Sequence, residues 1–235
     1  MYPLCGKPVL ERVFNQLSFS AEIEKTILAT SVDRSDDLLE AWAHELGYSC
    51  YRGNLENVLE RFYRAARENN AEAVVRVTAD CPLIDPEVVD TIINGFIGGN
   101  FDYYSNTIVP TFPDGLDTEV FKISALERAF QEAELKSEKE HVTPFIKNHQ
   151  AIFSVGNFES RVNYEKFRWT LDNPEDYQFI KSVYENLYRP RDYIHWKDVL
   201  RLIEERPGLA EINRHVERNE GYKRSLEEDR AGKEI

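Results

Sequence analysis

The fold class of this chain is decided by one stretch, Val74-Val75-Arg76-Val77-Thr78-Ala79-Asp80-Cys81-Pro82-Leu83-Ile84-Asp85-Pro86. Four of its first five residues are β-branched, which predicts a short buried strand that ends before Asp80. Asp85 followed by Pro86 is typical of a helix start, with an N-cap side chain and a proline in the first turn. The order is strand, acidic turn and helix. Asp80 therefore lies where open α/β sheets bind ligands.

Strand and helix patterns alternate on both sides of this stretch. The apolar spacing before it predicts a helix from Pro8, a strand over 25–31, a helix over 35–46, a strand over 48–53 and a helix over 58–66. After it we expect a helix over 88–96 ended by Gly98 and Gly99, strands within 101–121 joined by a proline-rich excursion, helices over 124–135 and around 140–146, strands over 152–155 and 167–171, and helices from 177 and 196. This alternation predicts βαβ units and a mostly parallel sheet with flanking helices.

Length and composition limit the class of protein. The 235 residues, of which 42% are hydrophobic and 30% charged, suit one α/β domain over 1–235 with an exposed, charged tail over 217–235. No apolar run approaches the roughly 18 residues of a membrane span, and no secretory signal is present, so we expect a cytoplasmic protein. The net charge of −13 argues against non-specific binding to nucleic acid or an anionic membrane. Three scattered cysteines predict reduced thiols rather than a disulfide framework.

A second acidic motif resembles the first. Asp172 follows the predicted strand 167–171 and lies two residues before Pro174, as Asp80 lies two residues before Pro82. Two carboxylates at the ends of neighbouring strands can hold Mg²⁺, with phosphate and water oxygens as its other ligands. The pattern is equally consistent with two aspartates that cap their own turns.

Seven motifs together resemble the cytidylyltransferase family, which includes acylneuraminate and 3-deoxy-manno-octulosonate cytidylyltransferases, and within it the spore coat polysaccharide biosynthesis protein F group. The motifs are Gly6-Lys7-Pro8-Val9-Leu10-Glu11-Arg12-Val13, Ala29-Thr30-Ser31, Arg52-Gly53, Thr78 to Pro86, Pro113-Asp114-Gly115-Leu116-Asp117, Glu140-His141-Val142-Thr143-Pro144 and Asp172-Asn173-Pro174-Glu175-Asp176. The resemblance extends to about Asp229. It implies a Rossmann-like nucleotide-diphospho-sugar transferase fold with a mostly parallel mixed sheet, and transfer of CMP from CTP to a sugar-acid acceptor, with release of pyrophosphate.

The resemblance also implies a role for particular residues. Asp80 and Asp172 are the expected catalytic ligands of Mg²⁺, or of Mn²⁺. The other residues implied at the site are Ala29, Thr30 and Arg76, together with Asp80, for the nucleotide, and Asp117 and Glu119 for the acceptor. Arg76 alone is equally consistent with a structural ion pair, and His141 with a packing or interface role. We also expect a homodimer that pairs through the aromatic excursion within 101–121, the alternative being a lid over the site.

One feature departs from the family pattern. Family members have a first strand and an Arg-x-Gly-Ser-x-Arg-Leu-Pro-Gly-Lys loop that holds the triphosphate, and this sequence starts just after that loop. We therefore expect a sheet without its first strand and impaired transfer, and we favour a start codon further upstream. Two rival functions remain: a metal-dependent GT-A-like glycosyltransferase, which also uses strand-end aspartates, and an inactive binding or scaffold homologue.

Overall fold

The computed structural model describes residues 3–231. Its strands are β1 (Pro3–Leu4), β2 (Lys7–Pro8), β3 (Ile27–Ser31), β4 (Ser49–Gly53), β5 (Ala73–Arg76), β6 (Tyr103–Ser105), β7 (Glu119–Lys122) and β8 (Val155–Asn157). Its helices are α1 (Val9–Leu17), α2 (Asp37–Glu45), α3 (Val58–Glu68), α4 (Pro86–Gly99), α5 (Ile123–Glu132), α6 (Lys136–His141), α7 (Pro144–Asn148), α8 (Pro174–Leu187), α9 (Trp196–Glu205), α10 (Gly208–Glu211) and α11 (Glu220–Ala231).

The strands form a mixed sheet arrangement rather than a mostly parallel one. β3 and β4 pair in parallel, with Ile27 opposite Ser49, and a second group has the order β5-β7-β6-β8. β7 is antiparallel to both β5 and β6, whereas β6 and β8 are parallel. The chain returns from β6 to β7 through residues 106–118 without a helix, and a direct return of this kind gives an antiparallel pair.

Helix α1 contacts both strand groups. Its Phe14 belongs to the same hydrophobic cluster as Leu28 of β3, and its Val13 belongs to the cluster against which Val75 of β5 packs. Among the described residues, β3 pairs only with β4, and β5 pairs only with β7. One edge of each strand is therefore without a paired strand within 3–231.

Helix α4 begins with Asp85 as its N-cap and Pro86 in its first turn, as predicted from the sequence. Asp85 accepts hydrogen bonds from the backbone N–H groups of Glu87 and Val88, and Pro86 occupies the first turn. The predicted end is wrong, because the helix runs through Gly98 and Gly99 and its cap is Asn100. Asn100 has a φ of 50°, a left-handed conformation that asparagine tolerates better than most side chains.

Other differences concern segments whose structure depends on tertiary contacts. Residues 167–171 form no strand, but only an isolated bridge from Arg168 to Asp114. The strand predicted over 152–155 begins at Val155, and the helix predicted around 140–146 is divided into α6 and α7 at Val142, whose φ is 71°.

The tail is not exposed throughout, because α11 packs against α6 and buries Ser225. Residues 232–235 of the predicted tail lie outside the described residues. No helix within 3–231 is long and apolar enough to cross a membrane.

Candidate active site

The two acidic motifs lie side by side. The N–H of Leu171 donates to the carbonyl of Asp80 at 2.9 Å, and the Thr170 hydroxyl donates to the same carbonyl at 3.4 Å. Asp80 follows β5, but Asp172 precedes α8 after an extended segment, so the prediction of two strand ends is wrong for Asp172. The segment is held by single backbone contacts rather than by a strand ladder.

Arg168 orients the second motif. Its Nε and Nη2 donate to the buried carboxylate of Asp176, its Nη2 donates to Asp172 Oδ2 at 2.5 Å, and its Nη1 donates to Asp114 Oδ2 at 3.0 Å. Asp176 also accepts from the backbone N–H of Asp172 and from that of Asn173. One buried guanidinium thus fixes three carboxylates, and this leaves Oδ1 of Asp172 without a hydrogen bond to a described residue.

The proline-rich excursion is tied to the same segment. Asp114 accepts from Trp169 N–H through its carbonyl at 2.6 Å. Gly115 has a φ of +107°, and a Cβ there would lie 2.6 Å from the Trp169 carbonyl carbon. Glycine is therefore required for both the backbone conformation and the close approach. The consequence is that Asp117, two residues further on, is held near the Asp80 motif.

Arg218 brings a second guanidinium to these carboxylates. Its Nη2 contacts Asp117 Oδ1, and its Nε lies 3.7 Å from Asp114 Oδ1. Arg218 precedes α11, so the C-terminal segment closes this side of the site. Sequence reasoning placed the segment in an exposed tail and missed it.

The acidic cluster carries more negative charge than its arginines balance. Burial, together with Asp117, raises the pKa of Asp114 to about 6, although Arg218 and Arg168 oppose the shift. Burial raises the pKa of Asp117 as well, against the pull of Arg218. For Asp172, burial and the neighbouring Asp80 carboxylate raise the pKa despite the contact with Arg168. Ionisation of these groups near neutral pH therefore costs free energy in the folded protein.

A divalent cation fits the Asp80 end of this cluster. Among the described residues, no Lys, Arg or His lies within ion-pair distance of Asp80, and its carboxylate accepts a hydrogen bond from the Cys81 thiol alone, at 3.4 Å. Asp172 lies beside it with a side chain that is 54% exposed. Two carboxylates that repel each other and face solvent are the oxygen ligands that Mg²⁺ uses beside phosphates.

A different cluster, Asp85, Glu87 and His195, has three potential metal ligands within 4.8 Å of one another. Both oxygens of Asp85 are already used. Oδ1 caps α4, while Oδ2 accepts from the Trp196 N–H at 2.8 Å and contacts His195 Nδ1 at 2.5 Å. The three side chains therefore connect the start of α4 to the start of α9.

The family model described as cytidylyltransferase matches residues 1–198. The chain belongs to the cytidylyltransferase family. Spore coat polysaccharide biosynthesis protein SpsF of Bacillus subtilis is 30% identical over 213 residues, which cover 86% of this chain and 84% of that protein. An uncharacterized protein of Methanocaldococcus jannaschii is 31% identical over 224 residues, covering 94% of this chain and 88% of that protein.

Solved structures agree with this family assignment. A cytidylyltransferase from Leptospira borgpetersenii superposes with a TM-score of 0.85 at 28% identity, covering 92% of this chain and 90% of that chain. A CMP:2-keto-3-deoxy-manno-octonic acid synthetase complexed with CTP has a TM-score of 0.58 at 14% identity, covering 78% of this chain and 90% of that chain. The latter likeness concerns the fold alone. The nucleotide-diphospho-sugar transferase fold predicted from the sequence is thereby confirmed.

The other residues predicted at the site of this cytidylyltransferase-family protein lie in two places. Arg76 and Glu119 form an ion pair at 2.5 Å between β5 and β7. Ala29 and Thr30 lie on β3, in the other strand group, where the Thr30 hydroxyl donates to Asp36 at 2.7 Å. The structure therefore brings Asp80, Asp117 and Asp172 into one cluster, with the Arg76–Glu119 pair beside it, whereas Ala29 and Thr30 belong to the other strand group.

Sequence reasoning did not assign four residues of the cluster to the site: Asp114, Arg168, Asp176 and Arg218. Two signals were available. Asp114 stands in the Pro113-Asp114-Gly115 motif, and Arg168 stands four and eight residues before Asp172 and Asp176. Nothing local to Arg218 indicates its contact with Asp117, which is 101 residues away in the chain.

Proposed function

We propose that this protein is a cytidylyltransferase enzyme of surface-polysaccharide biosynthesis, which transfers CMP from CTP to a sugar-acid acceptor and releases pyrophosphate. One observation carries the proposal: Asp80 lies beside Asp172 and has no cationic partner within 3–231. Membership of the cytidylyltransferase family supports CTP as the nucleotide. A 3-deoxy-manno-octulosonate cytidylyltransferase of Trichlorobacter lovleyi, 30% identical over 97 residues that cover 40% of this chain and 37% of that protein, supports a sugar acid as the acceptor.

In this proposal Asp80 and Asp172 hold Mg²⁺, with Mn²⁺ as a substitute. A bound ion of this kind would screen the negative charge of the phosphate during in-line attack. Arg168 keeps Asp172 oriented toward Asp80, and Asp176 keeps Arg168 in place. Asp117, which Arg218 holds, and Glu119 line the acceptor side, while Ala29, Thr30 and Arg76 border the nucleotide.

The test is pyrophosphate release from CTP with 3-deoxy-manno-octulosonate as the acceptor, in the presence of Mg²⁺. We expect Asp80→Asn and Asp172→Asn to lower kcat/KM by at least about 100-fold, since each removes a charge from the ion's ligands. Asp198→Asn is the matched control, because Asp198 is 41% exposed on α9 and contacts only Arg201 among the described side chains.

Release of UDP or CMP from sugar donors, without pyrophosphate release from CTP, would instead identify a glycosyltransferase. Absence of both activities and of CTP binding would identify a scaffold homologue. The expected impairment of transfer by the 235-residue chain stays a prediction, and the same assay measures it.

A further inference from the structure

A small pocket opens between α1, the segment that follows α2 and the end of α8. Its volume is about 210 Å³. Two cations, a carboxylate, an amide and two tyrosines line it: Lys7, Glu11, Arg12, Asn15, Tyr48 and Tyr188. No residue of the acidic cluster is among the lining residues, so this α1 pocket is separate from the candidate active site.

Arg12 brings a buried charge to the α1 pocket. The residue is 4% exposed, and no Asp or Glu within 3–231 lies within ion-pair distance of it. Its Nε donates to the Leu4 carbonyl at 3.0 Å, and its Nη2 donates to the Cys5 carbonyl at 2.6 Å. A guanidinium has five N–H groups, so three of them have no acceptor among the described residues. Because buried charges in proteins are normally paired, Arg12 indicates an anionic ligand.

The groups around Arg12 do not balance its charge. Both oxygens of Glu11 are engaged, since Oε1 pairs with Lys7 at 2.9 Å and Oε2 accepts from Trp42 Nε1 at 3.4 Å. The Tyr188 ring lies 4.2 Å from the guanidinium and attracts it through its π face, but it carries no net charge. Lys7 and Glu11 cancel, and the charges that line the α1 pocket therefore sum to the single positive charge of Arg12.

Further hydrogen-bond donors of the lining are unused. The Asn15 amide and the hydroxyls of Tyr48 and Tyr188 have no hydrogen-bond partner within 3–231. Burial and Glu11 raise the pKa of Tyr48, so its hydroxyl can donate at neutral pH. A phosphate offers more acceptor oxygens to such a set of donors than a carboxylate does. The volume is below the roughly 300–1,000 Å³ of sites for drug-sized ligands, which favours a phosphate group over a nucleoside triphosphate.

We propose that the α1 pocket binds a phosphate group, either inorganic phosphate or the phosphate of a small monoester. Arg12 supplies the charge that balances it, and the 53% exposed Lys7 lies at the rim. Asn15 and the two tyrosine hydroxyls supply further donors. The Leu4 and Cys5 carbonyls hold the guanidinium before the ligand arrives, so little ordering is required on binding. The inference is independent of the proposed function, because no residue of the acidic cluster takes part in it.

The test is a titration of the full chain, labelled with 15N-arginine, with inorganic phosphate at constant ionic strength and without Mg²⁺. The Nε–H signal of Arg12, identified by its loss in Arg12→Lys, should shift with a Kd of about 1 mM or below. Lys7→Met and Asn15→Ala should each raise that Kd about 3- to 10-fold, the effect of losing one contact at a partly exposed site. Acetate should bind more weakly than phosphate. Glycerol 3-phosphate, titrated in parallel, shows whether a monoester binds more tightly than the free ion.

Lys181→Met is the matched control for Lys7→Met. Lys181 is 51% exposed and pairs with Glu185 four residues later, as Lys7 pairs with Glu11. Asp80→Asn is the second control, because the acidic cluster is the other place where phosphate could bind. Both control variants should keep the Kd of wild type.

An Arg12 signal that phosphate does not move would overturn the proposal and leave Arg12 as a tie between α1 and the carbonyls of Leu4 and Cys5. Equal Kd values for Lys7→Met, Asn15→Ala and wild type would overturn it as well, because the binding would then be non-specific. Loss of binding in Asp80→Asn would place the phosphate at the acidic cluster. Acetate that binds as tightly as phosphate would exclude a phosphate site.

Discussion

At the scale of single residues, Asp80 and Asp172 differ in what holds them. Arg168 fixes Asp172 through a 2.5 Å contact, whereas Asp80 has no cationic partner among residues 3–231. Burial and the Asp80 carboxylate raise the pKa of Asp172. Repulsion between the two ionised carboxylates therefore costs free energy when no cation lies between them. A bound cation would remove that cost.

Mg²⁺ should therefore stabilise the folded protein at pH 7. At about 100 times its Kd a ligand adds about 2.7 kcal/mol to the free energy of unfolding, which raises the melting temperature by several degrees in a protein of this size. Differential scanning fluorimetry measures the shift. Asp80→Asn should abolish it and Asp198→Asn should retain it; an equal shift in all three proteins would contradict the assignment of Asp80 as a metal ligand.

Glu119 should make stability depend on acid pH. Burial by itself raises the pKa of this carboxyl, but Lys147, Arg76 and two hydroxyl donors outweigh burial and hold the pKa well below its ordinary value of 4.5. A carboxyl whose pKa is lower in the folded state contributes stability above about pH 4.5 and loses it progressively as the pH falls. The unfolding free energy should decline below that pH.

The variant Glu119→Gln should lose about 3–5 kcal/mol at pH 7, because it leaves two partly buried cations without their anion. Its decline below pH 4.5 should also be shallower than that of wild type. Urea unfolding at several pH values measures both effects, with Glu185→Gln, exposed on α8, as the control. Parallel pH profiles for wild type and Glu119→Gln would be inconsistent with the lowered pKa.

At the scale of elements, one side chain joins the starts of two helices. Asp85 is fully buried, caps α4 through Oδ1 and binds the Trp196 N–H at the start of α9 through Oδ2. His195, the N-cap residue of α9, contacts Oδ2 as well. The position of α9 on α4 therefore depends on this carboxylate.

Asp85→Ala should destabilise the protein by about 3 kcal/mol or more, since a single cap is worth about 1 kcal/mol and the substitution also leaves buried N–H groups unpaired. Asp33→Ala should cost much less, because Asp33 is exposed and caps only the short 3-10 turn at Arg34–Asp36. Chemical denaturation measures both values. Equal losses would show that the contact with α9 contributes nothing.

The same elements show what the sequence could predict. The start of α4 was predictable because Asp85 and Pro86 act on their own neighbours in the chain. The bridge at Arg168 and the helix α11 were not, since the first depends on Asp114 and the second on its packing against α6. At the site, the two acidic motifs were recognisable, but the contact of Arg168 with Asp114 spans 54 residues and that of Arg218 with Asp117 spans 101.

At the scale of the whole molecule, the apolar excursion has two parts. Phe112 and Leu116 are buried in the core formed with α8 and α9, whereas Ile108 and Val109 are exposed by 37% and 48%. Most of the aromatic and apolar character that suggested a dimer arm therefore stabilises the chain's own fold. Because Ile108 and Val109 are exposed and could lie at a contact between two chains, the homodimer stays a prediction.

Light scattering should give a mass about twice the 27.4 kDa of one chain at micromolar concentration. Val109→Asp should shift the mass toward one chain, because a buried, unpaired carboxylate is costly at an apolar contact. Val32→Asp is the control, as Val32 is 64% exposed and lies after β3. A wild-type mass of one chain would exclude the dimer.

The contact of Arg218 with Asp117 has a consequence for synthesis. These two residues are 101 positions apart, so the carboxylates of the excursion leave the ribosome well before the guanidinium that balances them. A nascent chain that stops before Arg218 carries an acidic cluster with only Arg168 to neutralise it. The contact that holds Asp117 therefore forms only after translation has passed α10.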